Sequence, residues 1–327
     1  MLPPIDALLE SLHVVRLPLA TRFRGVTERE AALVRGPEGW GEWSPFLEYE
    51  PAEASTWLAA AIEDAWMPRP PAVRDRIRVN ATMPAVGPHE VAGVLERYDG
   101  CRTVKVKVAE RGQTLDDDVA RVREVRTLLP DARIRVDANG GWNVDEAETA
   151  VRALEHLDLE YVEQPCATVP ELAELRARIH RIGVPVAADE SVRKAADPMA
   201  VVAAGAADVL VVKAQPLGGV RRALAIVAEA GLPAVVSSAL DTSVGLSQGA
   251  ALAAALPELP FDCGLGTAAL LEADVAGPLV PVDGAIAVGR LVVDEHRLAW
   301  HAAPEEREAW WRDRLAAAYA VLEAAEG

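Results

Sequence analysis

Between residues 103 and 215 short apolar runs, each carrying a charged residue near its end, recur at an almost constant interval, and this recurrence limits the folds open to the 327-residue chain. Thr-Val-Lys-Val-Lys-Val (103–108) alternates with period two, so a strand here aims Lys105 and Lys107 at one face and Val104, Val106 and Val108 at the other. Three further runs end in carboxylates: Arg-Ile-Arg-Val-Asp-Ala-Asn (133–139), Glu-Tyr-Val-Glu-Gln-Pro (160–165) and Val-Pro-Val-Ala-Ala-Asp-Glu-Ser (184–191). Asp137 and Glu163 are 26 positions apart, Glu163 and Asp189 another 26, and 24 more lead to Lys213 in Ala-Asp-Val-Leu-Val-Val-Lys-Ala-Gln (207–215). That interval suits a strand, a helix and two short loops. Five successive βα units thus offer lysine, carboxylate, carboxylate, carboxylate, lysine.

An ionisable residue at the end of a buried strand is costly unless it is paired or bound to metal, so five in succession call for a shared destination. A (β/α)8 barrel supplies one, because its strand C-termini converge on a single mouth. Asp137, Glu163 and Asp189, with no His or Cys nearby, form an all-oxygen set suited to Mg2+, with Mn2+ able to substitute. A single strand-end Asp commonly caps a helix or pairs with arginine; three in one register weigh for a metal. Asn139, two residues past Asp137 and on the same face, reads either as support for this set or as a loop cap.

The remaining composition narrows the function classes. The formal charge of −17 argues against nucleic acid as a partner, since phosphate binding needs a basic face. No apolar stretch nears the roughly 18 residues that cross a bilayer, and the opening Met-Leu-Pro-Pro-Ile-Asp has no basic region, so a soluble, cytoplasmic protein with no membrane partner is expected. Cys101, Cys166 and Cys263 lie far apart with no zinc-ligand spacing and read as free thiols. Of the six histidines, none lies between His180 and His296, which leaves the late strands without a histidine base.

Along the chain, residues 1–75 break the βα period. Strands are predicted near 12–19 and 31–35 and a helix over 51–66, which makes an α+β capping domain. Between its first strands lies Thr-Arg-Phe-Arg-Gly (21–25), in which Arg22 and Arg24 are either substrate contacts or the solvated tip of a hairpin. Arg-Ile-Arg-Val-Asn-Ala-Thr-Met (76–83) opens the barrel and 88–98 supplies its first helix. Pro-Ala-Val-Val-Ser-Ser-Ala-Leu (233–240) is a seventh strand, and Phe-Asp-Cys-Gly-Leu-Gly-Thr (261–267) an eighth. Gly218-Gly219 reads as tight strand-to-helix packing more readily than as an anion-binding turn. The barrel domain is assigned to 76–274. From about 275 returning strands are expected, and a helix over 304–325 that docks on the cap, so 275–327 forms a segment completing the first domain.

The Lys105-x-Lys107 pair, the carboxylate triad and Lys213, with Gly-Trp-Gly-Glu-Trp-Ser-Pro (39–45) ahead of them, resemble the enolase superfamily, in the subgroup that contains the muconate cycloisomerases and dipeptide epimerases. The resemblance runs to about Gly266. It implies a modified (β/α)7β TIM barrel under an α+β cap, a small-molecule carboxylate substrate, and abstraction of a proton α to that carboxylate with Mg2+ stabilising the ene-diolate. By position, Lys107 resembles the family's base and Lys105 its supporting charge, each raising the cost of charging the other. Lys213 resembles a second acid/base or a cation against the ene-diolate. The 21–25 loop would fold over the mouth.

Within the subgroup, dipeptide epimerases carry Asp-x-Asp on the eighth strand to hold an α-ammonium, whereas Asp262-Cys263-Gly264 keeps only the first position. Ser237, Ser238, Gly264 and Leu265 instead offer small side chains and backbone N–H groups to a second carboxylate. The resemblance is therefore nearest to the members that dehydrate a succinyl-hydroxycyclohexadiene carboxylate in menaquinone biosynthesis. An N-acylamino-acid racemase or dipeptide epimerase is the alternative reading. A silent binding barrel is the third, opposed by the intact lysines. Oligomeric state is not legible.

Overall fold

The computed structural model describes residues 2–23, 25–193 and 197–326, the last of these by its backbone. A short helix α1 (Ile5–Glu10) precedes the antiparallel cap sheet β1 (His13–Phe23), β2 (Val26–Gly36) and β3 (Gly39–Trp43), on which α2 (Pro51–Trp66) packs. The barrel then runs β4 (Arg76–Arg78), β5 (Ala81–Met83), α3 (Val91–Leu95), β6 (Thr103–Lys107), α4 (Leu115–Leu128), β7 (Arg133–Asp137), α5 (Val144–Leu154), β8 (Leu159–Glu163), α6 (Val169–Ile179) and β9 (Val186–Ala188). It continues through α7 (Glu190–Arg193), α8 (Ala200–Ala203), β10 (Val209–Val212), α9 (Val220–Ala230), β11 (Ala234–Val236) and α10 (Ser243–Ala255). The chain closes with β12 (Ala285–Ala287), α11 (Glu295–Trp300) and α12 (Glu305–Glu326).

Strands β5 to β11 form one parallel seven-stranded sheet in sequence order. Local chemistry starts its outer helices: Thr114 with Asp117, Asn143 with Glu146 and Thr168 with Glu171 each make a reciprocal capping box at the head of α4, α5 and α6. The lumen beneath the mouth is filled by Tyr161, Ala187, Val209, Val211 and Val235, so the barrel interior is a packed core. Helix α10, apolar on nearly every side, is wedged between barrel and cap, and the Gln248 amide reaches the Ala60 carbonyl of α2 at 2.7 Å.

Four local expectations are corrected. The strand expected over 76–83 is broken at Val79 and Asn80: β4 pairs antiparallel with β12, and only β5 joins the barrel sheet. The eighth strand shrinks to the bridges Val79–Cys263 and Ser237–Gly264, which still close the ring. Its glycine is required, because a Cβ on Gly264 would stand 2.4 Å from the Ser237 hydroxyl. The first barrel helix is a 3-10 turn (Pro88–Glu90) running into the five-residue α3. The returning strands amount to β12 and isolated bridges, since this segment threads along the barrel base. Helix α12 lies on α2, with Trp311 edge-on to Trp43 at 5.2 Å and Leu315 and Ala318 in the cap core.

Gly218-Gly219 does precede a bound anion, but one the chain supplies. Glu63 of α2 accepts the Val220 and Arg221 N–H groups at the head of α9, and a Cβ on Gly219 (φ 116°) would strike its carboxylate.

Candidate active site

The parallel register decides which charges meet. Lys107 stands beside Asp137 across β6 and β7, and Asp137 beside Glu163 across β7 and β8. Asp189 and Lys213 lie just past the ends of β9 and β10. Lys105, Lys107, Asp137, Glu163, Asp189 and Lys213 are all buried, none more than 9% exposed. Ala109, Asn139, Gln164 and Leu240 all take positive φ just past strands that end at the mouth. Such backbone is uncommon for residues other than glycine and persists only where its surroundings hold it.

The charges interlock. The Lys105 ammonium donates to Asp137 at 3.0 Å and Glu163 at 2.8 Å, Lys107 to Asp137 at 2.5 Å, and Lys213 to Asp189 at 2.5 Å. Arg193 of α7 takes the other Asp189 oxygen at 3.1 Å and donates to the Tyr49 hydroxyl of the cap at 3.0 Å. Burial alone would raise Asp137, but Lys105 and Lys107 hold it well below the usual carboxylate range. Lys213 and Arg193 likewise overcome burial and hold Asp189 at about 2. Glu163 goes the other way, to about 7: burial and the charge of Asp137 raise it, Asp189 adds to the rise, and Lys105 offsets only part. Burial works against the Lys105 ammonium, yet Asp137 and Glu163 keep it well above the ordinary lysine value, so repulsion between the paired lysines does not neutralise this one.

Among the described residues no three acidic, His or Cys side chains already stand at metal-binding spacing, because the carboxylate oxygens face ammonium groups. The donor set nevertheless fits a hard divalent cation. It comprises three buried carboxylates on consecutive strands, close enough that two of them raise the third. A cation among Asp137, Glu163 and Asp189 removes that repulsion.

A narrow cleft opens over these groups, lined by Lys105, Lys107, Asp137, Asn139 and Lys213 together with Ser237, Ser238 and Gly264. Asn139 accepts from Lys107 at 2.6 Å and donates to Glu190 at 3.2 Å, so it contacts the lysine directly. Ser238 donates to the Gly264 carbonyl at 2.9 Å and meets the Thr267 hydroxyl at 2.8 Å. Leu265 is not at the cleft. Period two turns it outward against Gly249 of α10, fully buried in the barrel core. Asp262 is not at the mouth either: it holds Arg78 at 3.0 Å and Thr103 at 2.8 Å at the strand beginnings. Arg24 lies outside the described residues, and Arg22 is exposed.

Phe23 and Thr82 also line the cleft and were missed, while Ala239, Leu240 and Thr267 line it beside the serines and glycine expected there. Phe23 was legible as an aromatic residue inside the polar 21–25 loop; its ring centre is 5.6 Å from the Lys107 nitrogen. Gln164 supports the site as well. Its amide oxygen accepts the Asp189 and Ser191 N–H groups and its nitrogen reaches the Ser191 hydroxyl, which sets the turn carrying Asp189.

This fold and these groups define a class. The "Enolase C-terminal domain-like" family model matches residues 89–291 and the "Enolase N-terminal domain-like" model residues 14–65. The chain belongs to the enolase superfamily. It is 58% identical over 321 residues to the o-succinylbenzoate synthase of Mycolicibacterium smegmatis and 56% identical over 323 residues to that of Mycobacterium tuberculosis, with 98% of each chain covered in both cases. It is thus an enzyme, related along nearly its whole length to lyases. Two solved structures share the fold: a muconate lactonizing enzyme from Pseudomonas fluorescens (TM-score 0.77, 22% identity, 90% of this chain and 98% of that one) and an N-succinyl Arg/Lys racemase from Bacillus cereus (0.76, 21%, 90% and 97%).

Proposed function

We propose that the protein performs the o-succinylbenzoate synthase reaction, a syn dehydration of a succinyl-hydroxycyclohexadiene carboxylate, as a Mg2+-dependent step of menaquinone biosynthesis. The observation that carries this reading is the pair Lys107 and Lys213. Both line one cleft, yet they approach the carboxylate group from β6 and from beyond β10. Near full-length identity of 56–58% to relatives bearing that name supports it.

Asp137, Glu163 and Asp189 would hold Mg2+, which when bound supplies positive charge to stabilise the ene-diolate. Lys107 takes the α-proton on its side-chain nitrogen. The electron pair left on carbon expels the hydroxyl, and Lys107 returns the proton to it so that water leaves; in a syn elimination one face needs the only base. Asn139, bonded to Lys107 at 2.6 Å, orients that nitrogen. Lys105 stays charged between Asp137 and Glu163, and Lys213 opposes the charge that develops on the other face. The Ser237 and Ser238 hydroxyls take the succinyl carboxylate, with Gly264 leaving room beside them because its own N–H is bonded to the Val236 carbonyl.

A two-base racemisation of an N-acylamino acid is the second reading, favoured by the intact Lys213. Assay with the cyclohexadiene substrate and with an N-succinyl amino acid, with and without chelator, separates the two. Metal-dependent dehydration of the first is expected. Racemisation without dehydration, or dehydration undiminished by thorough chelation, overturns the proposal.

A further inference from the structure

The loop after β11 carries Ala239 and Leu240 along the cleft wall, and the cap holds it from both ends. Arg29 of β2, 3% exposed, donates to the Leu240 carbonyl at 3.1 Å, to the Ala239 carbonyl at 3.4 Å and to the Ser44 carbonyl. Its guanidinium lies 4.7 Å from the Phe46 ring centre, which fixes the plane of the donor fork. Glu42 of β3, 1% exposed, accepts the Thr242 N–H and hydroxyl and the Gly245 N–H, so a cap carboxylate seats the first turn of α10. Ser44 continues the contact to Gln215, two residues past Lys213, at 3.1 Å.

Between these anchors Leu240 sits at φ +62°, a conformation that a branched side chain does not hold unaided. The carbonyls on either side of its φ and ψ are the ones Arg29 grips. We infer that Arg29 is a positioning residue for the reaction: by clamping the Ala239–Leu240 backbone from the cap, it sets where Ser237, Ser238 and the cleft wall stand relative to Lys107, and so how well the substrate's second carboxylate is received. The effect on substrate rests on the proposed reaction; the clamp does not.

Arg29→Lys keeps the charge but offers a single ammonium that cannot span three carbonyls, and it is compared with Arg29→Met. The Ala239, Thr242, Val244 and Gly245 amides are bonded to side chains, so their hydrogen exchange reads the loop directly. In Arg29→Lys, exchange over 239–245 rises by about tenfold or more while the other peptides of cap and barrel stay at wild-type rates. KM for the succinyl substrate rises about tenfold and kcat stays within about threefold. Adding Leu240→Gly, which adopts positive φ without help, brings the raised KM of Arg29→Lys part of the way back down. Unchanged exchange over 239–245 in a folded Arg29→Lys protein overturns the proposal. A rise spread equally over cap and barrel also overturns it, since that marks a general structural role. If the wild type does not turn over the substrate, the reaction is misread, while the exchange data still decide the clamp.

Discussion

Both ends of the barrel are lined with charge, and the pairing differs in kind. At the base Arg135 donates to Glu160 at 2.5 Å, to Asn80 and to the Asp262 carbonyl, while Arg78 and Thr103 hold the Asp262 carboxylate. At the mouth the cations nearest the reaction are lysines, and one carboxylate, Glu163, is raised to about 7 by burial and its acidic neighbours. Arginine keeps its proton at any working pH and its fork matches a carboxylate, so the base is a permanent fastening. A lysine can give up its proton and move on a flexible stem, so the mouth is arranged for exchange of protons and ions. The same strands carry both sets: Arg135 and Asp137 are two residues apart on one face of β7.

The contrast is most sharply tested by Lys107→Ala. Turnover should fall by about 10^3-fold or more, with α-proton exchange into solvent lost in step and the melting temperature nearly unchanged. Loss of the fold instead would make the mouth structural, like the base. Glu163→Gln keeps shape and removes one charge; calorimetric titration should show Mg2+ binding weakened by at least about 100-fold, and turnover should fall with it. Lys213→Arg keeps charge in another shape, so it should retain more dehydration than Lys213→Ala, whereas racemisation of an N-succinyl amino acid should stop in both.

At the base the expected cost changes from rate to stability. Arg135→Met leaves Glu160 without its main partner and should lower stability by about 3 kcal/mol, seen in urea denaturation, while kcat per folded molecule stays within about threefold. A large drop in kcat in folded protein would erase the division between the two ends. The smallest effect is assigned to Asp241, buried beside the clamp and raised to about 7 by burial and the charge of Glu42. Its folded value exceeds its unfolded one, so its contribution is present below the ordinary aspartate value near 4 and is lost as pH rises through about 7. Asp241→Asn should therefore gain melting temperature relative to the parent between pH 5 and pH 8, by about 2–4 °C. A constant difference across that range would place the Asp241 carboxyl in an ordinary environment.

Much of this was legible in one dimension. The even interval between Asp137, Glu163 and Asp189 is a property of consecutive βα units, and period two assigns Lys105 and Lys107 to one face before any partner is known. The span of α2, expected over 51–66, is local in the same sense. Leu265 was misplaced because a strand reduced to two bridges shows no alternation long enough to tell its faces apart. That Asp262 stands at the base beside Arg78 and Thr103 was not legible, because a motif position carries no measure of depth along the barrel axis.

Residue order, then, was enough for the barrel, the identity of the charged groups and their convergence, because strand periodicity and parallel pairing act over a few residues at a time. Tertiary structure decided which lysine meets which carboxylate, that Glu163 rises while Asp137 falls, and that Arg29 and Glu42 of the cap grip a loop some 200 residues away. Those outcomes depend on distance and burial between segments remote in sequence, and electrostatic energy in a buried site responds to both too steeply for a linear pattern to record.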